Sequence, residues 1–178
     1  VISFDGRDPA IYQKFRKNGG AYEKKLKAFE NLRKHSRRRH TILCCVARHI
    51  NDQHMGDLIQ FCHENRDIVS SLHLIPLAET WEAGAFETDA TTTLADVEQI
   101  VADAFPDEKV EFVPAGLGHC LESALPFFRR HGLSYGRAHP NCDSVTRLIS
   151  DGTRYRPLSH YLKRSLDDVA RDVVRLGI

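Results

Sequence analysis

No apolar run in this 178-residue chain approaches the roughly 18 residues a membrane span needs, so no segment reads as a transmembrane helix. An excess of one charge is also missing. Lys plus Arg is 25 and Asp plus Glu is 24, for a net charge of +1. A dedicated nucleic-acid binder normally carries a large basic excess, so nucleic acid is not an expected partner. Cysteine is present without pattern. The five residues, an odd number at irregular spacings, do not read as a secreted disulfide framework. G-x-S-x-G, P-loop, G-x-G-x-x-G and H-E-x-x-H motifs are absent, and the ten histidines are scattered without paired spacing, so no hydrolase site is indicated. No internal repeat or low-complexity segment occurs. What remains is 42% hydrophobic and 28% charged, the composition of a globular chain. The expectation is a soluble, cytoplasmic domain of mixed structure.

The pattern of elements is informative. Val1 to Phe4 alternates as a strand does, with Asp5-Gly6 as its exit turn. Because this strand starts at the first residue, with no initiator Met, the chain is expected to be the C-terminal part of a longer protein. Asp8-Pro9 starts a helix. After Asn18-Gly19-Gly20 a longer helix places Tyr22, Leu26, Phe29 and Leu32 on one face. Thr41 to Ala47 (TILCCVA) is too short for a helix and reads as a buried strand. Asn51-Asp52 caps a helix carrying Met55, Leu58, Ile59 and Cys62, and Ser71 to Leu77 is a third strand. Thr93 and Asp96 form a near capping box for a helix that runs to Pro106. A short strand over Val110–Val113, a helix over Cys120–Arg130, a hairpin from Val145 to Tyr155 around Asp151-Gly152 and a final helix with Leu162, Leu166, Val169, Val173 and Leu176 on one stripe complete the reading. Strands alternating with helices imply right-handed crossovers and a parallel sheet, hence an α/β fold.

In parallel α/β folds, functional side chains gather where strands end. Ser3 and Asp5 lie two residues apart and share one face of the first strand. Together they could exchange hydrogen bonds with the hydroxyls of a ribose or with a zwitterionic amino acid. The plainer reading is that Asp5 merely shapes its Asp-Gly turn. Arg48 leaves the second strand as a candidate anchor for a carboxylate or phosphate, or simply as a solvated strand end. Asn51 reads as a helix cap. His139-Pro140-Asn141-Cys142 and His119-Cys120 combine residues that soft and borderline metals accept, although a single Cys142 cannot close a four-ligand site. The run Arg33 to His40 is the only basic block, and it reads as a solvated helix end whose cations complement the dipole.

Three stretches carry a resemblance. VISFDGRDPAIYQKFRKNGGAYEKKLKAFENLRK, TILCCVARHIND and SLHLIPLAETWEAG look like strands four, five and six of a radical SAM core with their helices. The S-x-D-G exit, followed by a helix with a Tyr and by Arg16-Lys17-Asn18-Gly19, is the fourth-strand pattern of that family. The closing segment HPNCDSVTRLISDGTRYRPLSHYL is similar to the tail of the branch that holds the pterin-modifying methylase-like and tetraether-lipid-synthase-like enzymes. The resemblance implies a partial (β/α) TIM-type barrel over 1–106 and an α+β C-terminal extension over 107–178.

It also implies a cofactor, S-adenosylmethionine. Ser3 and Asp5 would face its ribose and methionine portion, Arg48 and Asn51 would be polar neighbours, and Ile75 would flank the adenine. A [4Fe-4S] cluster, reduced by an electron donor, would cleave the sulfonium and start radical modification of an unactivated carbon on a small-molecule or lipid-like substrate. C-alkylation or C–C bond formation is what the branch implies. Cys142 would be a candidate ligand of an auxiliary cluster, its plainer alternative being a buried thiol in a loop. The sequence departs from the family at its defining feature. The C-x-x-x-C-x-x-C triplet is absent, and it is expected upstream of Val1, so this chain alone should be inactive. The alternatives are a non-catalytic ligand-binding half-barrel module and a cluster-free (β/α) barrel enzyme acting on an anionic substrate through Arg48.

Overall fold

The computed structural model describes residues 1–77, 91–114 and 143–175. Cys120, His139 and Cys142, with the helix expected over Cys120–Arg130, lie outside these residues. The chain divides into two units, Val1–Ala104 and Phe105–Ile178.

The first unit is built on three parallel strands, β1 (Ile2–Ser3), β2 (His40–Val46) and β3 (Val69–Pro76), in the order β1-β2-β3. The register sets Ser3 beside Leu43, Leu43 beside His73 and Cys45 beside Ile75. Two helices connect the first pair of strands: α1 (Pro9–Arg16) and α2 (Ala21–His35). Asp8 caps α1 by accepting from the Ala10 amide at 2.8 Å, and Pro9 occupies the first turn, where no N–H is needed. After β2, a single 3-10 turn (Asp52–His54) leads into α3 (Met55–Glu64), and α4 (Leu94–Asp103) follows β3. The capping box foreseen for α4 is present, with Thr93 and Asp96 bonding each other's backbone amides.

One residue explains why the helices share a face of the sheet. Phe4 is fully buried just beyond β1, and its ring meets Tyr12 of α1, Phe29 of α2 and Phe61 of α3, with centroids 6.2, 5.2 and 4.5 Å away. Ile42, Cys44 and Val46 of β2 are buried on the same side. Strand alternation turns Leu43 and Cys45 to the other face, where they are only half-buried and where Ile75 of β3 is exposed. The sheet is open among the described residues, so the architecture is α/β with a parallel three-stranded sheet.

The second unit contains β4 (Val113–Pro114) paired antiparallel with β5 (Ser144–Val145), β6 (Leu148–Ser150) paired antiparallel with β7 (Tyr155–Pro157), and α5 (Leu166–Arg175). The expected hairpin exists but is shifted. Val145 pairs with Val113, and the β6–β7 connection takes four residues, Asp151–Arg154, not the two-residue turn expected at Asp151-Gly152. The Asp151 carboxylate is the reason. It accepts from the amides of Thr153 and Arg154, both at 2.9 Å, building the loop around itself and holding its own pKa well below the ordinary range. Leu162 falls before the final helix, which starts at Leu166. Glu108 gathers Arg156 at 2.9 Å, Arg154 at 3.4 Å and the His160 ring at 3.2 Å around one buried carboxylate.

Candidate functional site

The exit of β1 is fixed from three sides. On the helix side, the Tyr12 hydroxyl accepts from the Asp5 amide at 3.2 Å and donates to the Gly6 carbonyl at 3.1 Å. Burial, foremost, pushes this phenol above its ordinary pKa, so it keeps the proton that the second bond requires. On the β2 side, Asn51 Nδ2 donates to the Asp5 carbonyl at 3.0 Å and to the Cys45 carbonyl at 2.8 Å. Asn51 Oδ1 accepts from the Ala47 amide at 3.0 Å. Asn51 is 2% exposed, and it acts as a latch between two strand exits. The expected helix cap is not made: its side chain gives no capping bond to the 3-10 turn that follows.

The third side is the Asp5 carboxylate, whose side chain is 1% exposed. Oδ1 accepts from the Cys45 amide at 3.1 Å. Oδ2 accepts from Arg16 Nη2 at 2.9 Å and from Arg16 Nε at 3.2 Å. The same Nη2 donates to Ser3 Oγ at 2.6 Å. Three of the five guanidinium N–H groups are therefore directed inward, and Nη1 has no partner among the described residues. The Arg16 side chain remains 41% exposed. A planar fork, charge-balanced from behind and open in front, suits a carboxylate or phosphate.

The predicted site residues thus separate into two groups. Ser3 and Asp5 do share a face, and Arg16 brings them into one network with Asn51 behind it. Arg48 is engaged elsewhere. Its amide donates to Thr92 Oγ1 at 3.1 Å, and its guanidinium pairs with Asp96 at the start of α4. Ile75, 49% exposed, neighbours Cys45 across the β2–β3 pair. Arg16 is the residue that the strand-exit reading did not single out. Its sequence signal is the basic last turn of a helix only eight residues long, which starts just after the strand exit and ends beside it.

The described thiols are unlike activated nucleophiles. Burial, and then the charge of Asp5, pushes Cys45 up to about 11, and burial pushes Cys62 up to about 12. Cys44 is driven well above its ordinary value by the same first cause. No group of three His, Cys, Asp or Glu side chains converges among the described residues. These residues do not fit an iron–sulfur cubane. What they offer is a cation and a hydroxyl at one open strand end, Arg16 and Ser3, which suits a carboxylate. No helix among the described residues is long and apolar enough to cross a membrane. No model of a known protein family matches this chain, and comparison with curated proteins finds no match either.

Proposed function

We propose that this chain is the S-adenosylmethionine-binding part of a radical SAM enzyme, an arc of a partial (β/α) barrel followed by an α+β extension. The observation that carries the reading is the Arg16 guanidinium, clamped by Asp5 and Ser3 at the exit of β1 and open on its far side. In this reading Arg16 holds the ligand's carboxylate, the Ser3 hydroxyl lies beside its polar groups, and the exposed Ile75 offers an apolar surface to the adenine. The order β1-β2-β3 with helices on one face is what an arc of a barrel requires, and it supports the same conclusion. A reduced [4Fe-4S] cluster held by other polypeptide would supply the electron for radical chemistry on the bound S-adenosylmethionine. The cluster ligands and the electron donor's docking site belong to polypeptide outside these residues, and the enzyme is placed in the cytoplasm. Its substrate is a small or lipid-like molecule with an unactivated carbon.

A cluster-free anion-binding module is the second reading, because the open side of the Arg16 fork suits any carboxylate or phosphate. Calorimetric titration separates the two. Wild-type protein should bind S-adenosylmethionine at least about ten-fold more tightly than 5′-methylthioadenosine, which keeps the adenosine but lacks the carboxylate. Arg16→Gln should erase that difference. Citrate binding through Arg16 with no affinity for either adenosyl compound would support the second reading. Equal affinities in the wild type, or a preference that survives Arg16→Gln, would sink the first.

A further inference from the structure

We infer that Asp5 and Asn51 are positioning residues which set the geometry of Arg16 and do not themselves touch the ligand. This deepens the proposed function and rests on its assignment of Arg16 as the carboxylate anchor. The resemblance implies the opposite for Asp5, a direct contact with the ribose and methionine portion, so the two views are separable.

Accessibility and bond capacity make the case. The Asp5 side chain is 1% exposed, while the Arg16 side chain beside it is 41% exposed. One carboxylate oxygen is spent on the Cys45 amide, and the other takes two N–H groups of Arg16. A ligand approaching from solvent therefore meets the guanidinium first. A flexible arginine loses much rotamer freedom when it is ordered, so an arginine already held by two bonds to a fixed acid binds an anion at a smaller entropic cost. The acid is fixed in its turn. Its amide is bonded to Tyr12, and its carbonyl is bonded to Asn51, which also holds the Cys45 carbonyl and the Ala47 amide. Asn51 thereby locks the β1 exit against the β2 exit, and the carboxylate inherits that register. Asn51 is buried and bonded to these backbone groups and to the Cys44 sulfur at 3.6 Å, so it too acts through Arg16.

The test uses Asp5→Asn in the full chain, titrated with S-adenosylmethionine and with 5′-methylthioadenosine. The amide oxygen can still accept from the Cys45 N–H, while the charge that holds Arg16 is gone. The expected result is an about ten-fold loss for S-adenosylmethionine and no loss for 5′-methylthioadenosine. The double variant D5N/R16Q should lose no more than Arg16→Gln alone, the signature of two residues acting as one unit. Should D5N fold poorly by circular dichroism, Asn51→Ser, which leaves the carboxylate in place, should give the same ligand-selective loss. An equal loss for both ligands would mean that Asp5 touches their shared adenosine, and additive losses in the double variant would mean independent contacts. Either result overturns this inference and leaves Arg16 as the anchor. A wild type that fails to distinguish the two ligands removes the anchor itself.

Discussion

Gly6 is the residue whose replacement the β1 exit tolerates least. Its φ is +150°, and a Cβ built there would lie 2.6 Å from Ile11 Cδ1. Ile11 is itself buried in α1, so it has little room to yield. Gly6→Ala should destabilise the protein by about 1–3 kcal/mol, combining overpacking with an unfavourable φ. Urea denaturation would show it, and an unchanged midpoint would mean that the exit can relax. The end of β1 before Asp5-Gly6 was legible in the sequence, although the Asp5 carboxylate turns to Cys45 and Arg16 and does not shape a local turn. The Asp5–Arg16 pair was not. Eleven residues separate the two, and their meeting depends on where a helix of eight residues brings its last turn. Asn51 misled for a related reason. An Asn before a helix is an ordinary cap, but here two tertiary carbonyls compete for the same amide and hold it.

Elements were more legible than contacts, since periodicity is a local property. The start of α4 illustrates this, because Thr93 and Asp96 announced the helix and both reciprocal bonds are made. Thr93→Ala should cost about 1 kcal/mol near neutral pH. A pH dependence follows from Asp96. The Thr93 amide, then the Thr93 hydroxyl, then Arg48 hold its carboxyl below the ordinary value. A pKa lowered by folding adds stability that is complete above the unfolded value and disappears as pH falls through the folded one. The difference between wild type and Thr93→Ala should therefore narrow as pH falls from about 4, the ordinary carboxylate value, through the lower value that Asp96 has in the fold. Thermal melts at paired pH values would test this, and a gap that stays constant into acid would break the link to Asp96. The β6–β7 hairpin shows the limit of local reading. Its turn residues were recognised, but the ladder begins three residues later than expected, because Val145 pairs with Val113 far back in the sequence.

At the scale of the whole molecule, alternation of strands and helices was enough to foresee a parallel sheet, since parallel neighbours require crossovers. Closure of the sheet was not legible. It depends on how many strands take part, and three are present among the described residues. An arc of three strands has a physical consequence. Among the described residues of the first unit, no helix packs on the face that carries the half-buried Leu43 and Cys45 beside the exposed Ile75, and β1 and β3 stand at the edges of the sheet. Exposed apolar side chains next to unpaired edges favour association. The isolated chain should therefore dimerise or aggregate as its concentration rises, as followed by multi-angle light scattering. Ile75→Glu should shift it towards monomer, because a charge on that face must be desolvated before two copies can meet. It should leave thermal stability nearly unchanged, since a half-exposed side chain contributes little to the fold. A clean monomer at every concentration would count against the half-barrel reading, since an open arc of three strands would then need no partner to cover its exposed Ile75.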